Sequence, residues 1–362
     1  MAVQNRMCTV LCVALMLIGS HALSAQQRSR IQVVDKSILT DKGTILRGCF
    51  FCVDITGDFP ERQKFYDMAN VYGLNAVHVY LETFWQAEKY AGRYEAQGDS
   101  VVKLAAEMGL YVVLTIGCGN RNGDSSLKGT TNFWKHYAPR YKDETHVIYE
   151  IQNEPCKPMP YPDSTIRLER EAYQIIRDAA PKTHISLFSF IGLESPENAL
   201  ATIGAVDDIV DWSNASVAYH SYKHSDEALD SVSARYPCLN TEFWANGTIH
   251  PNTDIIADHE RRGIGWLSFV NLKQIEQAFK VDIDAAGLVW VPDYGKWPTS
   301  SVAARARIAH RITDAVAPRI RLILPNGRGL SGGRSCSAGV CVSSAADGVW
   351  RLVIQASRSS GH

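Results

Sequence analysis

The sequence predicts an α/β fold: a closed (β/α)8 barrel of the TIM type, preceded by a β-hairpin and followed by a short C-terminal extension. Two observations carry this expectation. Eight short runs rich in β-branched and aromatic residues recur between Ile45 and Phe269, and segments of helical periodicity lie between them. Strand and helix in alternation indicate a parallel sheet, and eight such units in 362 residues match a barrel. An open doubly wound sheet is the alternative, but no glycine-rich phosphate loop follows any of the runs.

The chain starts with Arg6, then a short apolar stretch from Cys8 to Ile18, then small residues from Ala22 to Ala25. That pattern reads as a signal peptide over residues 1–25, because the apolar run is too short to cross a bilayer. A secreted or periplasmic protein is expected. The stretch "IQVVDKSILTDKGTILRG" reads as a hairpin turning at Asp41-Lys42-Gly43, placed to plug the bottom of the barrel. The expected strands are Ile45–Phe51, Asn75–Leu81, Tyr111–Ile116, Val147–Gln152, His184–Phe188, Ser216–His220, Cys238–Thr241 and Gly263–Phe269. Helical patterns span residues 60–73, stopped by Gly73, and 98–109, opened by an Asp99-Ser100 cap and stopped by Gly109. Two more cover residues 130–143 and 163–181, the second ending at Pro181. The barrel is expected over residues 30–317, with residues 318–362, rich in Gly, Ser and Arg, as an extension of unassigned role.

Composition narrows the partners. A net charge of −1 argues against nucleic acid or an anionic membrane, which need a concentrated basic surface. A monomer without cofactor is expected. Of nine cysteines, Cys8 and Cys12 leave with the signal, and Cys336 and Cys341 could close a small loop in an oxidising compartment. Cys49 and Cys52 sit three apart on a strand, so they face opposite sides and read as buried free thiols.

In such a barrel the working face is the C-terminal end of the strands. The fourth run leads into Asn153-Glu154-Pro155 and the seventh ends in Glu242. Asn-Glu-Pro in isolation is an ordinary solvated loop; the joint placement of two glutamates across one mouth is what singles them out. Two carboxylates about 5–5.5 Å apart suit double displacement at an anomeric carbon, one attacking and the other protonating the leaving oxygen. Aromatic platforms for sugar faces are available near strand ends in Tyr80, Trp85, Trp244, Trp266, Trp290 and Trp297, with Trp85 and Trp244 best placed. No nucleophilic serine elbow occurs, and His220 and His224 lack a third ligand at metal spacing.

The segment "FWKHYAPRYKDETHVIYEIQNEP", with "LRG", "GLNAVHVY", "AYHSY" and "YPCLNTEFW", resembles glycoside hydrolase family five, the cellulase and mannanase family of retaining barrels, over roughly residues 30–270. The resemblance implies Glu154 as acid/base and Glu242 as nucleophile. It implies Asn153 as a contact to the sugar 2-hydroxyl, His220 beside the acid/base, and Tyr222 donating to the nucleophile. Three departures stand out. His78 replaces an arginine at the end of the second strand, where it could still donate to the nucleophile. Gly117, Cys118 and Gly119 stand where a substrate-touching histidine is usual. On the eighth strand either Trp266 or Phe269 could take the place of the sugar-stacking tryptophan. The expectation is a retaining enzyme acting on β-1,4-linked polysaccharide, endoglucanase-like. The alternatives are a mannanase or other β-glycanase, a glycan-binding barrel of weak activity, and a metal-dependent hydrolase on the same fold.

Overall fold

The computed structural model describes residues 28–117, 122–157, 159–222, 225–243 and 255–269, together with three short strands between residues 335 and 354. Residues 1–25, expected to be a signal peptide, lie outside that range. Contacts divide the chain into two compact units, Met1–Arg307 and Ile308–His362.

In the first unit, β1 (Gln32–Val34) and β2 (Ser37–Leu39) form a hairpin. Eight parallel strands then close into a barrel: β3 (Arg47–Cys52), β4 (Ala76–Thr83), β5 (Tyr111–Gly117), β6 (Val147–Glu150), β7 (Ile185–Phe190), β8 (Ala215–His220), β9 (Cys238–Glu242) and β10 (Gly265–Ser268). Each pairs with its sequence neighbour, and β10 returns to β3 with Trp266 opposite Arg47. The helices are α1 (Val53–Thr56), α2 (Arg62–Tyr66), α3 (Phe84–Tyr90), α4 (Glu95–Met108), α5 (Leu127–Arg140), α6 (Asp163–Ala179), α7 (Pro196–Gly204), α8 (Asp226–Ser233) and α9 (Ile255–Arg262). The eight-stranded barrel with its hairpin is therefore the expected one. In the second unit, three antiparallel strands, β11 (Ser335–Ser337), β12 (Val340–Ser344) and β13 (Trp350–Ile354), place Cys336 opposite Cys341 in register.

Strand alternation makes two cores. Val77, Val79 and Leu81 of β4 and Val112, Leu114 and Ile116 of β5 face outward, fully buried against the helices. On α6 the matching face is Leu168, Ala172, Tyr173 and Ile176, spaced at one helical stripe. Inside the barrel, residues of the strands' N-terminal halves or middles (Ala76, Tyr111, Ile148, Leu239, Leu267) pack with Ile38 of the hairpin and Ile31 just before it. The hairpin thus stoppers the N-terminal end and leaves the C-terminal end to chemistry.

Three local expectations change. The hairpin's tight turn falls at Asp35-Lys36, both in the left-handed region (φ 49° and 65°), as a two-residue turn between twisted strands requires. Asp41 to Gly43 form a second turn, closed by Thr40 N–H on the Thr44 carbonyl at 2.8 Å. Helix α4 begins at Glu95, before the Asp99-Ser100 pair. Glu82 fixes the incoming backbone by accepting from the N–H groups of Gly92 and Tyr94, and Asp99 binds Arg140 and Tyr141 on the neighbouring segment. The pattern over residues 60–73 splits into α2 and a wider turn at Asp67–Val71.

The closure of first strand on last is held by a buried ion pair. Arg47 Nε and Nη2 donate to the two oxygens of Glu260 at 2.6 and 2.7 Å, and the Trp266 indole N–H adds a third bond to Glu260 at 3.0 Å. Trp266 is fully buried. It belongs to the outer core, on the face of β10 opposite the barrel axis, so the expectation of a substrate-stacking Trp266 is corrected.

Candidate active site

Strand β6 ends at Glu150, yet its pairing continues. Ile151 N–H reaches the Ser186 carbonyl and Asn153 N–H the Ile116 carbonyl, each at 3.0 Å. The next residue, Glu154, takes φ 44°, a left-handed conformation uncommon for a residue with a Cβ. Asn153 and Glu154 are both buried. Glu154 Oε1 accepts from His220 Nδ1 at 2.7 Å, while Oε2 has no partner among the described residues.

Glu242 closes β9. Its Oε1 accepts from the Tyr222 hydroxyl at 2.6 Å and its Oε2 from the Tyr80 hydroxyl at 2.7 Å. His220 Nδ1 lies 4.0 Å from Glu242 Oε2. One atom each of Glu154, His220 and Glu242 fall within 4.8 Å of one another, so the two glutamates face one another across the barrel mouth. Parity alone would forbid this arrangement, because Thr241 already faces the interior and donates to Glu150 Oε1 at 2.8 Å. The register shift between β8 and β9, with Tyr219 opposite Asn240 and His220 opposite Glu242, inserts one residue and turns Glu242 inward as well.

A second irregularity serves His220. On β7 the register shifts between Leu187 and Phe190, and the two residues between, Phe188 and Ser189, have φ 76° and 42°. Ser189 Oγ thereby reaches His220 Nε2 at 3.1 Å. Both imidazole nitrogens are then engaged. Burial by itself would push the His220 pKa down, but the Glu242 and Glu154 carboxylates outweigh it and carry it up to about 9. The direction favours a protonated His220 between the two glutamates. Three ligand atoms this close could also hold a metal, with His220 giving up its proton to do so.

His78 is not where the sequence suggested. It lies one layer deeper, fully buried, with Nε2 2.5 Å from Glu150 Oε2, and makes no bond to Glu242. Burial would raise the Glu150 pKa, yet His78 beside it brings it below the usual carboxylate range. The donor to the nucleophile candidate is instead Tyr80, two residues along the same face, its ring centroid 4.4 Å from that of His78 and tilted by 48°. The eighth strand supplies Phe269, whose ring is 4.4 Å from Phe50 and 5.7 Å from Tyr80. Trp85, in the first turn of α3, is about half exposed. Trp244, Trp290, Trp297, His224, Cys118 and Gly119 lie outside the described residues. Neither Cys49 nor Cys52 forms a disulfide among the described residues; Cys49 is buried in the outer core and Cys52 is only half-buried.

A family model described as cellulase (glycosyl hydrolase family 5) matches residues 51–259, more than half of the chain. The chain belongs to glycosyl hydrolase family 5. The retaining glycosidase reading is thus that of the family. Among solved structures, a β-glucanase from Saccharophagus degradans has a TM-score of 0.57 at 17% identity, covering 72% of this chain and 95% of its own. A Thermobifida fusca endoglucanase catalytic domain gives 0.52 at 20% identity, covering 77% of this chain and 97% of its own. A Streptomyces mannanase catalytic domain gives 0.54 at 20% identity, covering 70% and 85%. At these identities the likeness is one of fold. Within this family 5 barrel, sequence reading missed Glu150, Thr241 and Ser189 and gave Tyr80 only as an aromatic platform. Glu150 carried one available signal, a charged residue inside an otherwise apolar strand.

Proposed function

We propose that the protein is an exported retaining β-glycanase that cleaves β-1,4-linked glucan by double displacement, with Glu242 as nucleophile and Glu154 as acid/base. The observation that carries this reading is the opposed carboxylate pair with unequal surroundings. Glu242 receives a phenolic O–H on each oxygen, which fixes its attacking direction. Glu154 has one oxygen tied to His220 and the other open to a leaving-group oxygen. In the first step a Glu242 oxygen bonds to the anomeric carbon while Glu154 gives its proton to the departing glycosidic oxygen. In the second, Glu154 takes a proton from water, and that water releases the sugar from Glu242. Asn153, beside Glu154, meets the 2-hydroxyl. His220, held by Ser189, keeps Glu154 oriented, and Trp85 offers a stacking surface.

Glucan is favoured because a β-glucanase and an endoglucanase are among the similar structures, both also known with cellotetraose bound. β-Mannan is the second reading, since a mannanase is about equally similar in fold. The test is reducing-sugar release from soluble cellulose derivative, mixed-linkage glucan and β-mannan by wild type and Glu154→Gln. The variant should lose about 10²–10⁴ in rate. Equal rates would remove Glu154 from its role. A chelator should leave wild-type activity intact; loss of activity restored by a divalent cation would favour a metal hydrolase.

A further inference from the structure

Gly117 ends β5 on the inner face, since Ile116 before it is buried in the outer core and Val113, four residues earlier, lies in the inner one. A Cβ built on Gly117 would meet Asp54 Oδ2 at 2.1 Å. The Asp54 carboxyl, carried on α1 just beyond β3, therefore occupies the space where a β5 side chain would project into the barrel mouth. Cys52 at the end of β3 is in register with Tyr80, and Tyr80 with Thr115, so this carboxyl sits just above the layer that holds the Tyr80–Glu242 contact. Asp54 is more than nine-tenths buried, and its Oδ1 has no partner among the described residues. A buried carboxyl with an idle oxygen is costly to keep, and the bare Gly117 beside it offers no side-chain donor.

We propose that Asp54 is a substrate-binding residue of the candidate site, accepting hydrogen bonds from the hydroxyls of a pyranose ring in the place vacated by a side chain at Gly117. This deepens the glycanase reading and rests on it for the ligand class. A carboxyl presents only acceptors when ionised and adds one donor when protonated, so it can hold a vicinal hydroxyl pair in either state. Burial pushes the Asp54 pKa up, against two backbone N–H groups that pull it down, to about 7. Its mode of contact should then change across neutral pH.

The experiment compares wild type, Asp54→Asn and Gly117→Ala in hydrolysis of the glycan panel, and the same substitutions on a Glu154→Gln background in calorimetric binding of cellotetraose and mannotetraose. Asn keeps the shape of the side chain, and thermal melting of each variant reports whether the fold is retained. Loss of a charged hydrogen-bond acceptor should weaken tetrasaccharide affinity and kcat/KM by about 10–100-fold. The near-neutral inflection in the pH dependence of KM should disappear in Asp54→Asn. Gly117→Ala, which displaces the carboxyl without removing it, should shift both readouts in the same direction. If wild type hydrolyses a glycan and Asp54→Asn matches it in KM, affinity and pH profile, the Asp54 inference falls and the glycanase reading stands. If a tetrasaccharide binds without hydrolysis by wild type, and Asp54→Asn abolishes binding, the catalytic reading falls and the inference stands. No binding and no turnover on any member of the panel would overturn both.

Discussion

At the scale of single residues, the candidate site depends on who donates to which oxygen. Tyr80 and Tyr222 each supply one hydrogen bond to Glu242. Removing either hydroxyl by Tyr→Phe leaves the ring in place, so kcat should fall by about 10–100-fold with little change in melting temperature. A drop in melting temperature without a drop in kcat would make the tyrosines structural. His220 gives a pH signature. Its pKa is raised to about 9 from an ordinary 6.5, so the stability it contributes is full below about pH 6.5 and lost as pH climbs through about 9. The same deprotonation strips the cation from between two carboxylates. The kcat/KM profile of wild type should have an alkaline limb near pH 9, and Ser189→Ala, which frees Nε2, should move that limb. Glu154 and Glu242 were legible in the sequence because a carboxylate at a strand end is conspicuous. The role of Tyr80 was not, because a phenol that orients a nucleophile and a phenol that packs look alike in one dimension.

At the scale of elements, two inserted residues do most of the positioning. The β8–β9 shift lets Thr241 and Glu242 both face the axis, and the β7 irregularity aims Ser189 at His220. Neither bulge leaves a glycine or proline in the sequence to announce it, which is why Thr241 beside Glu242 and Ser189 beside His220 were missed. Depth misled in the same way. His78 lies on the predicted strand and face, but the layer it occupies puts it against Glu150 rather than Glu242. The β7 bulge is itself braced from α6 and its approach: Phe188 N–H donates to Glu169 Oε2 at 3.2 Å, and the Tyr161 hydroxyl donates to the Phe188 carbonyl at 2.9 Å. Burial lifts the Glu169 pKa to about 8, against the pull of that N–H, so the folded chain keeps a proton that the unfolded chain gives up above about pH 4.5. Stability from this group is present below that pH and declines as pH rises towards about 8. Glu169→Gln removes the titration while keeping an acceptor for Phe188. Its melting temperature relative to wild type should rise from about pH 5 to about pH 8, and a flat difference would show that Glu169 does not carry a buried proton.

At the scale of the whole molecule, regular features were the legible ones. Eight apolar runs, helical stripes such as Leu168 to Ile176, and an apolar hairpin were enough for a plugged barrel, because burial of periodic faces dominates the energetics. The closure of the ring was not legible, since Arg47 and Glu260 are 213 residues apart and nothing local links them. Breaking that pair by Glu260→Ala strands a buried guanidinium and should cost about 3–5 kcal/mol of stability. A double replacement, Arg47→Met with Glu260→Leu, should recover much of the loss; chemical denaturation would show whether the two changes are coupled or merely add.

That pair also bears on how the protein is made. Strand β3 emerges early in synthesis, but its second neighbour and the anion for Arg47 come from residues 260–268, so an unfinished chain carries an open strand edge and an unneutralised cation inside. Ring closure is a late, long-range event, and chains halted short of Glu260 should accumulate as protease-sensitive or aggregating species rather than as smaller working enzymes.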